Sequence, residues 1–311
     1  MLNYDKKLYG LLGKNIGYSL SPALHNAAFR HFSINAEYEL FDTEDIDGFF
    51  RDDVLTGKIS GFNVTVPYKI DVYDKLSKND GWEILKPASF LSAVNTVKVE
   101  EGKLTGQNTD GLGFYQSLAS DTAGVDEVKF YEEYLKGKSV FVFGAGGAGR
   151  TISMTFATLD WGGPQSIYVY DIDDARVKEL EEGCENIVKQ KICKAVKKNN
   201  IEDIISKCSV VVNATPLGTK EGDVSPIPVE FLKEDMVVYD LVYARRTELI
   251  EAAEKKNIKN ANGLGMLINQ AALAFIFWNK EKLPNNLQGI GDILLDVMKK
   301  AALEELARRQ G

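Results

Sequence analysis

Short apolar segments alternate with longer segments of helical periodicity through most of the chain. Apolar runs of about four to eight residues are typical of buried strands, whereas apolar residues that recur every third or fourth position are typical of helices. This alternation predicts βαβ crossovers and a largely parallel sheet, which is an α/β fold. A length of 311 residues corresponds to about two domains, and the sequence contains no internal repeat and no low-complexity segment.

A charged stretch separates two parts of the chain that carry different motifs. Residues 121–137 (DTAGVDEVKFYEEYLKG) are amphipathic and rich in carboxylates. Polar motifs precede this stretch and a glycine-rich motif follows it, so we predict a domain boundary here.

The glycine-rich motif has the context of a dinucleotide-binding loop. Residues 139–143 are predicted to form a strand, residues 144–149 (GAGGAG) match G-x-G-x-x-G, and residues 150–159 are predicted to form a helix. Glycine permits the tight turn and a close approach to a pyrophosphate, while the amides at the helix N-terminus face the anion. A tight turn without a ligand is the alternative for a single match. The predicted cofactor-binding residues of this loop are Gly144, Ala145, Gly146, Gly147, Ala148 and Gly149.

The next predicted strand ends in a carboxylate that bears on the choice of cofactor. Asp171 lies about 20 residues beyond the last glycine, where dinucleotide-binding domains place the acid that binds the ribose hydroxyls. Its alternative roles are a turn residue or a cap for the next helix. Asp173 and Asp174 would repel a 2′-phosphate, and Arg176 is the only cation nearby in the sequence. We therefore expect NAD as the cofactor rather than NADP.

Composition and charge exclude several classes of function. The chain has 37 basic and 45 acidic residues and a formal net charge of −8, so it offers no general attraction to nucleic acid or to anionic membranes. Its 3 cysteines form no C-x-x-C pair, and neither a disulfide framework nor a metal site is expected. No apolar run reaches the roughly 20 residues of a membrane span. We expect a cytoplasmic protein that acts on a small molecule, and with only His25 and His31 we expect lysine, carboxylate or hydroxyl groups to transfer protons.

Two serines precede a predicted helix near the start of the chain. In residues 17–26 (GYSLSPALHN), Pro22 suits the first turn of a helix and Ser21 suits its N-cap. In an extended lead-in, Ser19 and Ser21 point to the same side and place two hydroxyls beside the helix N-terminus, which suits a carboxylate ligand. Capping alone would also explain Ser21. His25 is expected to be a packed or a surface residue.

A lysine follows a predicted strand in residues 61–69 (GFNVTVPYK). Asn63 and Thr65 share one face of this strand, which Pro67 ends, and Lys69 comes just after it. The alternative for Lys69 is a solvated surface residue.

Two further motifs place an amide and a carboxylate. In residues 92–99 (SAVNTVKV), Asn95 shares a strand face with valines and needs hydrogen-bonding partners, which a ligand hydroxyl or a neighbouring loop backbone would supply. In residues 106–114 (GQNTDGLGF), Asp110 stands where a strand leads into a helix, and a helix cap is its alternative role.

The ordered set of these motifs resembles the shikimate dehydrogenase family. The resemblance continues through residues 213–218 (NATPLG), 240–243 (DLVY) and 262–270 (NGLGMLINQ), and it covers roughly residues 8–280. It implies an enzyme that interconverts shikimate and 3-dehydroshikimate, or the quinate pair, by moving a hydride between a ring carbinol carbon and nicotinamide.

The resemblance implies two α/β domains that flank a cleft, a substrate-binding domain and a Rossmann domain with a doubly wound parallel sheet. The substrate-binding catalytic domain is expected over residues 1–112, the NAD-binding domain over 113–261, and C-terminal helices that return to the first domain over 262–311. The segment beyond Leu283 has the pattern of an amphipathic helix that packs on the fold or lies at a subunit contact. The chain is expected to be a monomer or a homodimer.

The resemblance also implies roles for individual residues. Lys69 and Asp110 would form the proton-transfer pair, which suits the chemistry because oxidation of an alcohol releases an O–H proton. The implied substrate-binding residues are Ser19, Ser21, Thr65, Asn95, Asp110, Tyr243 and Gln270. The implied cofactor-binding residues outside the glycine loop are Asp171, Thr215, Leu241, Gly263 and Met266.

Departures from the family pattern affect the details. Residues 170–172 (YDI) stand where many NADP-dependent members carry an Asn-Arg-Thr motif, which favours the NAD-using quinate/shikimate branch. The presence of both Ser19 and Ser21 favours shikimate as the substrate. The alternatives are a quinate dehydrogenase with shikimate as a secondary substrate, a methylene-tetrahydrofolate dehydrogenase, and a non-catalytic NAD-binding metabolite sensor. The serine motif argues against the folate enzyme, and Lys69 with Asp110 argues against the sensor.

Overall fold

The computed structural model describes residues 6–284 and 287–310. Contacts divide the chain into two compact units: unit 1 is Met1–Asp110 with Ile268–Gly311, and unit 2 is Gly111–Leu267. The functional domain limits given above, 1–112, 113–261 and 262–311, stay a prediction.

Unit 1 contains a mixed sheet with helices between its strands. Its elements up to the boundary are β1 (Lys7–Gly13), α1 (Ser21–His31), β2 (Ala36–Asp42), α2 (Ile46–Phe49) with a π-helical turn (Phe50–Val54), β3 (Gly61–Val64), α3 (Lys69–Ser77), β4 (Glu83–Ile84), α4 (Ala88–Leu91), β5 (Thr96–Glu100) and β6 (Lys103–Gln107). The strand order is β2-β1-β3-β5-β6-β4. Strand β1 is parallel to β2 and β3, whereas β5 is antiparallel to β3 and β6.

Unit 2 contains a six-stranded sheet in the order β12-β11-β10-β7-β8-β9, and every pair in it is parallel. The elements are α5 (Asp110–Ser117) with a π-helical turn (Leu118–Ala123), α6 (Glu127–Phe130) with a π-helical turn (Tyr131–Leu135), β7 (Ser139–Phe143), α7 (Gly147–Ala157), β8 (Ser166–Tyr170), α8 (Asp174–Val188), β9 (Cys193–Ala195), a 3-10 turn (Lys198–Asn200), α9 (Ile201–Ile205), β10 (Cys208–Asn213), a 3-10 turn (Val229–Phe231), β11 (Val237–Asp240), α10 (Glu248–Lys255) and β12 (Lys259–Asn262). The chain order reverses between β7 and β10, and such a switch point is where open α/β sheets bind ligands.

Two boundaries differ from the sequence-based expectation. The stretch 121–137 is helical and belongs to unit 2, because Phe130 and Leu135 are fully buried in it and anchor it to the unit. Helix α7 begins at Gly147 rather than Arg150, since Arg150 N–H already donates to the Gly146 carbonyl at 2.8 Å and the last glycines form the first turn.

The chain ends in helices that pack on unit 1. These are α11 (Leu264–Asn279), a 3-10 turn (Lys280–Lys282) and α12 (Leu287–Gln310). In α11, Trp278 Nε1 donates to the Val97 carbonyl at 2.9 Å and ties the helix to β5. Helix α12 packs along α1, so the expected packed helix beyond Leu283 is confirmed.

The three cysteines of the chain all lie in unit 2. Cys184, Cys193 and Cys208 are buried free thiols. Burial raises the pKa of the Cys208 thiol to about 12.

Candidate active site

Lys69 and Asp110 form an ion pair in unit 1. Each is the first residue of a helix, Lys69 of α3 and Asp110 of α5. Lys69 Nζ lies 2.6 Å from Asp110 Oδ2, and the two side chains are 32% and 12% exposed. A lysine held by a carboxylate and still open on one side can exchange a proton with a ligand hydroxyl.

Asn95 holds Asp110 in place. The Asn95 amide donates to Asp110 Oδ1 at 2.9 Å and to Thr109 Oγ1 at 3.0 Å. Its carbonyl oxygen accepts the Thr109 N–H at 2.9 Å. Asn95 is 2% exposed. Its hydrogen-bonding partners include the backbone of a neighbouring loop, which is one of the two alternatives that the sequence allows. Asn95 therefore orients the carboxylate, while its contact with a substrate hydroxyl stays a prediction.

Ser19 and Ser21 bring their hydroxyls together where α1 begins. The two Oγ atoms are 3.1 Å apart, so the hydroxyls are adjacent, but the predicted extended lead-in is wrong because Leu20 between them has φ −86° and ψ −9°, a helical conformation. The prediction that Ser21 caps α1 is wrong, because Leu20 occupies the N-cap position without a side-chain cap. The Ser21 N–H donates to Ser19 Oγ at 3.2 Å instead.

A continuous series of hydrogen bonds, here termed the donor chain, links Tyr38 to Asp110. Tyr38 Oη donates to Asn63 Oδ1 at 2.8 Å, Asn63 Nδ2 donates to Thr96 Oγ1 at 2.9 Å, Thr96 Oγ1 donates to Asn95 Oδ1 at 2.9 Å, and Asn95 Nδ2 donates to Asp110 Oδ1. Bonds that point in one direction polarise one another. The donor chain therefore aims its hydrogens at the Asp110 carboxylate.

The first three residues of the donor chain are fully inside the protein. Tyr38, Asn63 and Thr96 are 2%, 4% and 0% exposed. Burial raises the pKa of Tyr38 well above its usual range, so its hydroxyl keeps the proton that it donates. The sequence did not assign these three residues to the site. The available signal was Asn63, a polar residue in a strand whose other positions are apolar.

The remaining predicted substrate residues fall in both units. Thr65 is half-buried after β3, and its N–H donates to the Leu12 carbonyl at 2.9 Å. Gln270 is half-buried on α11 within unit 1, whereas Tyr243 is half-buried after β11 in unit 2. Their roles stay predictions. His25 is a packed residue: it is fully buried and stacks on Tyr38 with ring centroids 4.3 Å apart.

The glycine loop of unit 2 joins β7 to α7 with no room for side chains at two positions. Gly144 has φ +100°, a conformation that residues with a Cβ rarely adopt. A Cβ on Gly149 would lie 1.9 Å from the Gly144 carbonyl oxygen. At Gly146 and Gly147 a Cβ would meet nothing within 4 Å, so the loop is open on the side that a pyrophosphate would approach.

A cavity of about 720 Å³ lies at this loop, within unit 2. The residues that line the cavity include four of the predicted cofactor-binding residues, Gly144, Gly146, Asp171 and Thr215. The other lining residues include Phe143, Tyr170, Ile172, Arg176, Lys198, Asn199, Ala214, Pro216, Leu217 and Phe231.

The carboxylates beside the cavity bond to their own backbone. Asp171 accepts the Ala145 N–H at 2.7 Å and the Asp173 N–H at 3.0 Å. Asp173 caps α8 and pairs with Arg176, whose Nε lies 3.2 Å from its carboxylate. Asp171 thus has the turn role that the sequence left as an alternative, and a contact with a ribose stays a prediction.

Two basic side chains, Arg176 and Lys198, line the cavity, and the sequence pointed only to Arg176. Lys198 comes from the turn after β9. Strands β8 and β9 are parallel neighbours, so the loops after them meet at one edge of the sheet. The sequence signal for Lys198 is its position just after the strand that follows β8.

The residues assigned to the nicotinamide side lie at the ends of β10, β11 and β12. Thr215 donates from N–H and Oγ1 to Asn213 Oδ1, at 3.0 and 2.7 Å. A Cβ on Gly263 would lie 2.1 Å from the Leu241 carbonyl oxygen, so these two backbones are in close contact. Met266 N–H donates to Tyr239 Oη at 3.2 Å.

In the part of the chain that the structure describes, no group of three or more His, Cys, Asp or Glu side chains is arranged to hold a metal ion. No helix within 6–284 or 287–310 has both the length and the apolar character needed to cross a membrane.

Comparison with known proteins identifies the family. A family model described as the shikimate dehydrogenase substrate binding domain matches residues 11–97. A curated relative from Methanocaldococcus jannaschii, named shikimate dehydrogenase (NADP(+)), is 34% identical over 313 residues, which cover 99% of this chain and 100% of the relative. The chain belongs to the shikimate dehydrogenase family.

Solved structures of related dehydrogenases share the fold. A shikimate dehydrogenase in complex with NADP⁺ is 32% identical with a TM-score of 0.79, and the match covers 98% of each chain. A quinate dehydrogenase from Corynebacterium glutamicum in complex with NAD is 29% identical with a TM-score of 0.80, covering 95% of this chain and 99% of that chain. The predicted α/β fold, with a substrate-binding N-terminal domain and a Rossmann-like parallel sheet, is confirmed.

The expectation of NAD rather than NADP, and with it the NAD-using branch of the shikimate dehydrogenase family, is wrong. The matching curated relatives carry NADP(+) in their names, and the structure at 32% identity holds NADP⁺. The physical reason lies at the cavity. Asp173 and Asp174 were expected to repel a 2′-phosphate, although Asp173 is paired with Arg176, and the expectation left out Lys198, which lines the cavity.

Proposed function

We propose that this member of the shikimate dehydrogenase family catalyses the reversible oxidation of shikimate to 3-dehydroshikimate with NADP as the hydride acceptor. The observation that carries the proposal is the Lys69–Asp110 ion pair, which lies in the same unit as the adjacent hydroxyls of Ser19 and Ser21. A paired acid and base together with two adjacent hydroxyls suit a ring that bears both a reacting alcohol and a carboxylate.

In this mechanism Ser19 and Ser21 bind the carboxylate of shikimate and fix the orientation of the ring. Asp110 accepts a hydrogen bond from a ring hydroxyl beside the reacting carbon. In the oxidative direction, unprotonated Lys69 takes the proton of the reacting alcohol as the C–H bond breaks, so that the carbonyl forms. NADP⁺, when bound, supplies the acceptor for the hydride. In the reductive direction the Lys69 ammonium returns the proton to the carbonyl oxygen.

The residues at the unit 2 cavity fit NADP. The glycine loop offers backbone N–H groups and space for a pyrophosphate. Arg176 and Lys198 would hold a 2′-phosphate by charge-assisted hydrogen bonds. Asp171 is compatible with a bound 2′-phosphate, because its carboxylate oxygens already accept hydrogen bonds from the Ala145 and Asp173 N–H groups.

Steady-state kinetics over shikimate or quinate with NADP or NAD test the substrate and the cofactor together. We expect the highest kcat/KM for shikimate with NADP. A higher kcat/KM for quinate would overturn the substrate, and a higher value with NAD would overturn the cofactor. Absence of turnover in all four combinations would overturn the activity and favour a non-catalytic binding protein.

Binding of nucleotide fragments tests the assignment of the cations without turnover. We expect the combined variant Arg176→Ala/Lys198→Ala to weaken 2′,5′-ADP at least about tenfold, which corresponds to about 1.4 kcal/mol, and to change 5′-AMP binding little. Lys197→Ala is the matched control, because Lys197 precedes Lys198 and is not among the cavity-lining residues. Equal losses for both nucleotides would contradict a 2′-phosphate contact.

A further inference from the structure

The last turn of α12 contacts the loop that carries Ser19. Arg309 Nη2 donates to the Ser19 carbonyl at 3.0 Å, and Nη1 donates to the Tyr18 carbonyl. Arg309 Nε donates to Glu305 Oε1 at 2.8 Å. All five N–H groups of a guanidinium lie in one plane, so a single rigid group bridges two successive carbonyls.

These two carbonyls lie on either side of one Cα atom. The Tyr18 carbonyl belongs to the peptide plane before Ser19, and the Ser19 carbonyl belongs to the plane after it. The angle between these planes is set by φ and ψ of Ser19, which also set the direction of its Cα–Cβ bond. By holding both planes, Arg309 restrains the direction of the Ser19 Cα–Cβ bond, and the Ser21 N–H that donates to Ser19 Oγ at 3.2 Å restrains the hydroxyl about that bond.

The same loop is held from its other side. Asn15 and Ile16 N–H groups donate to the Asp42 carboxylate at 2.8 and 3.0 Å. The Ser19 N–H donates to the Ile16 carbonyl at 2.9 Å. These bonds restrain the loop up to the Ser19 nitrogen, and the Leu24 N–H bond to the Leu20 carbonyl holds the second peptide plane beyond it. Arg309 supplies the contacts at the Tyr18 and Ser19 carbonyls between them.

Glu305 makes the Arg309 contact persistent. Arg308 donates to it through Nε and Nη2 at 2.9 and 2.7 Å, in addition to the bond from Arg309. Arg308 and Arg309 lower the pKa of Glu305 to about 2. The Glu305 carboxylate therefore stays ionised over the working pH range and keeps Arg309 oriented.

We propose that Arg309 is a positioning residue for the substrate carboxylate, which makes the C-terminal helix a determinant of substrate affinity. The inference rests on the proposed function only in naming shikimate as the ligand. Arg309 acts through Ser19: it holds the hydroxyl in place before the ligand arrives, so that binding does not have to order the loop.

Shikimate binding to the cofactor-free protein, measured by calorimetry, tests the affinity. We expect Arg309→Ala to raise Kd about tenfold, and Arg309→Lys to recover little, because one ammonium cannot hold two peptide planes. Arg308→Ala is the matched control: Arg308 also binds Glu305 but is 73% exposed, against 33% for Arg309. Equal Kd values for Arg309→Ala and Arg308→Ala would overturn the proposal.

A double-mutant cycle distinguishes positioning from plain charge attraction. If Arg309 acts through Ser19, Arg309→Ala should change Kd less than about twofold when Ser19→Ala is already present. A full tenfold effect in the Ser19→Ala protein would show that the cation attracts the carboxylate directly, and would contradict the positioning role.

Hydrogen exchange separates this inference from the proposed function. In the ligand-free protein, Arg309→Ala should speed amide exchange in residues 16–21, while Arg308→Ala should not. Should wild type fail to bind shikimate, the proposed function would fail while this measurement still decides whether Arg309 holds the loop. Unchanged exchange in Arg309→Ala would overturn the inference by itself.

Discussion

The substrate end in unit 1 and the cofactor end in unit 2 are held by different kinds of contact. In unit 1, side chains bond to side chains from Tyr38 to Asp110 along the donor chain. In unit 2, the glycine loop leaves no room for a Cβ atom at Gly149, and the Asp171 carboxylate accepts the Ala145 N–H. Side-chain substitutions in unit 1 are therefore expected to change the rate and the substrate preference, whereas added Cβ atoms in unit 2 are expected to change the shape of the loop.

The largest expected effect is on the proton-transfer group of unit 1. Lys69→Ala should lower kcat by at least about a hundredfold, because one positioned acid or base usually contributes at least that much. The KM for NADP and the circular dichroism spectrum should stay unchanged. Lys75→Ala is the control, since Lys75 lies on the same helix and pairs with the exposed Asp47. A loss below about tenfold would return Lys69 to a surface role.

In unit 2 the corresponding change should act on folding. Gly149→Ala should destabilise the protein by about 1–3 kcal/mol, because its Cβ would overlap the Gly144 carbonyl. Gly147→Ala provides the comparison: its Cβ meets nothing within 4 Å, so it should weaken only NADP binding. Denaturant unfolding and nucleotide titration measure the two effects, and equal stability of both variants would contradict the distinction.

The core beneath the donor chain should make stability depend on pH. Burial lowers the pKa of His25 from 6.5 to about 3. Above pH 6.5 the imidazole is neutral in the folded and the unfolded state and does not change the free energy of unfolding. Below pH 6.5 the unfolded chain binds a proton at this imidazole, whereas the folded protein does not. The free energy of unfolding should therefore fall by about 2 kcal/mol between pH 7 and pH 5 from this residue.

Variants of the two histidines measure that contribution. His25→Phe should remove it, so that the loss of stability between pH 7 and pH 5 becomes smaller than in wild type. His31→Gln, at the exposed end of the same helix, should leave the loss unchanged. Identical pH profiles for wild type and His25→Phe would contradict a neutral buried imidazole.

The smallest expected effect concerns the first residue of the donor chain. Tyr38→Phe should lower kcat/KM for shikimate about tenfold, because Asn63 loses a buried donor. It should also shift the pH profile of kcat/KM, which a purely structural role would not do. Tyr9→Phe is the control: Tyr9 pairs with Tyr38 across β1 and β2, is equally buried at 2%, and stands outside the donor chain. Equal effects of both variants would contradict a link to Asp110.

The residues that could be identified from the sequence are those that lie in a recognisable local motif. Strand β7 has the predicted bounds, 139–143, and the glycines follow it as expected because the turn geometry is local. Lys69 and Asp110 each stand at the start of a helix after a strand, and the resemblance to the family, carried by the motifs around them, implied that they form a pair.

The rest depended on contacts between distant segments. Lys198 reaches the cavity only because β9 lies beside β8, and Arg309 meets Ser19 only because α12 packs along α1. The charges of Asp173 and Asp174 led to the expectation of NAD, although Asp173 is paired with Arg176 and Lys198 also lines the cavity, which the sequence does not show. Charge alone therefore gave the wrong cofactor.

The buried thiols of unit 2 have a practical consequence for spectroscopy. Only the thiolate reacts with maleimides, and burial keeps Cys208 protonated while shielding Cys184 and Cys193. A cysteine introduced at an exposed position should accept a fluorophore or spin label selectively, with the native cysteines left in place. Paired labels, one on each unit, would then follow motion during turnover in an otherwise unaltered enzyme.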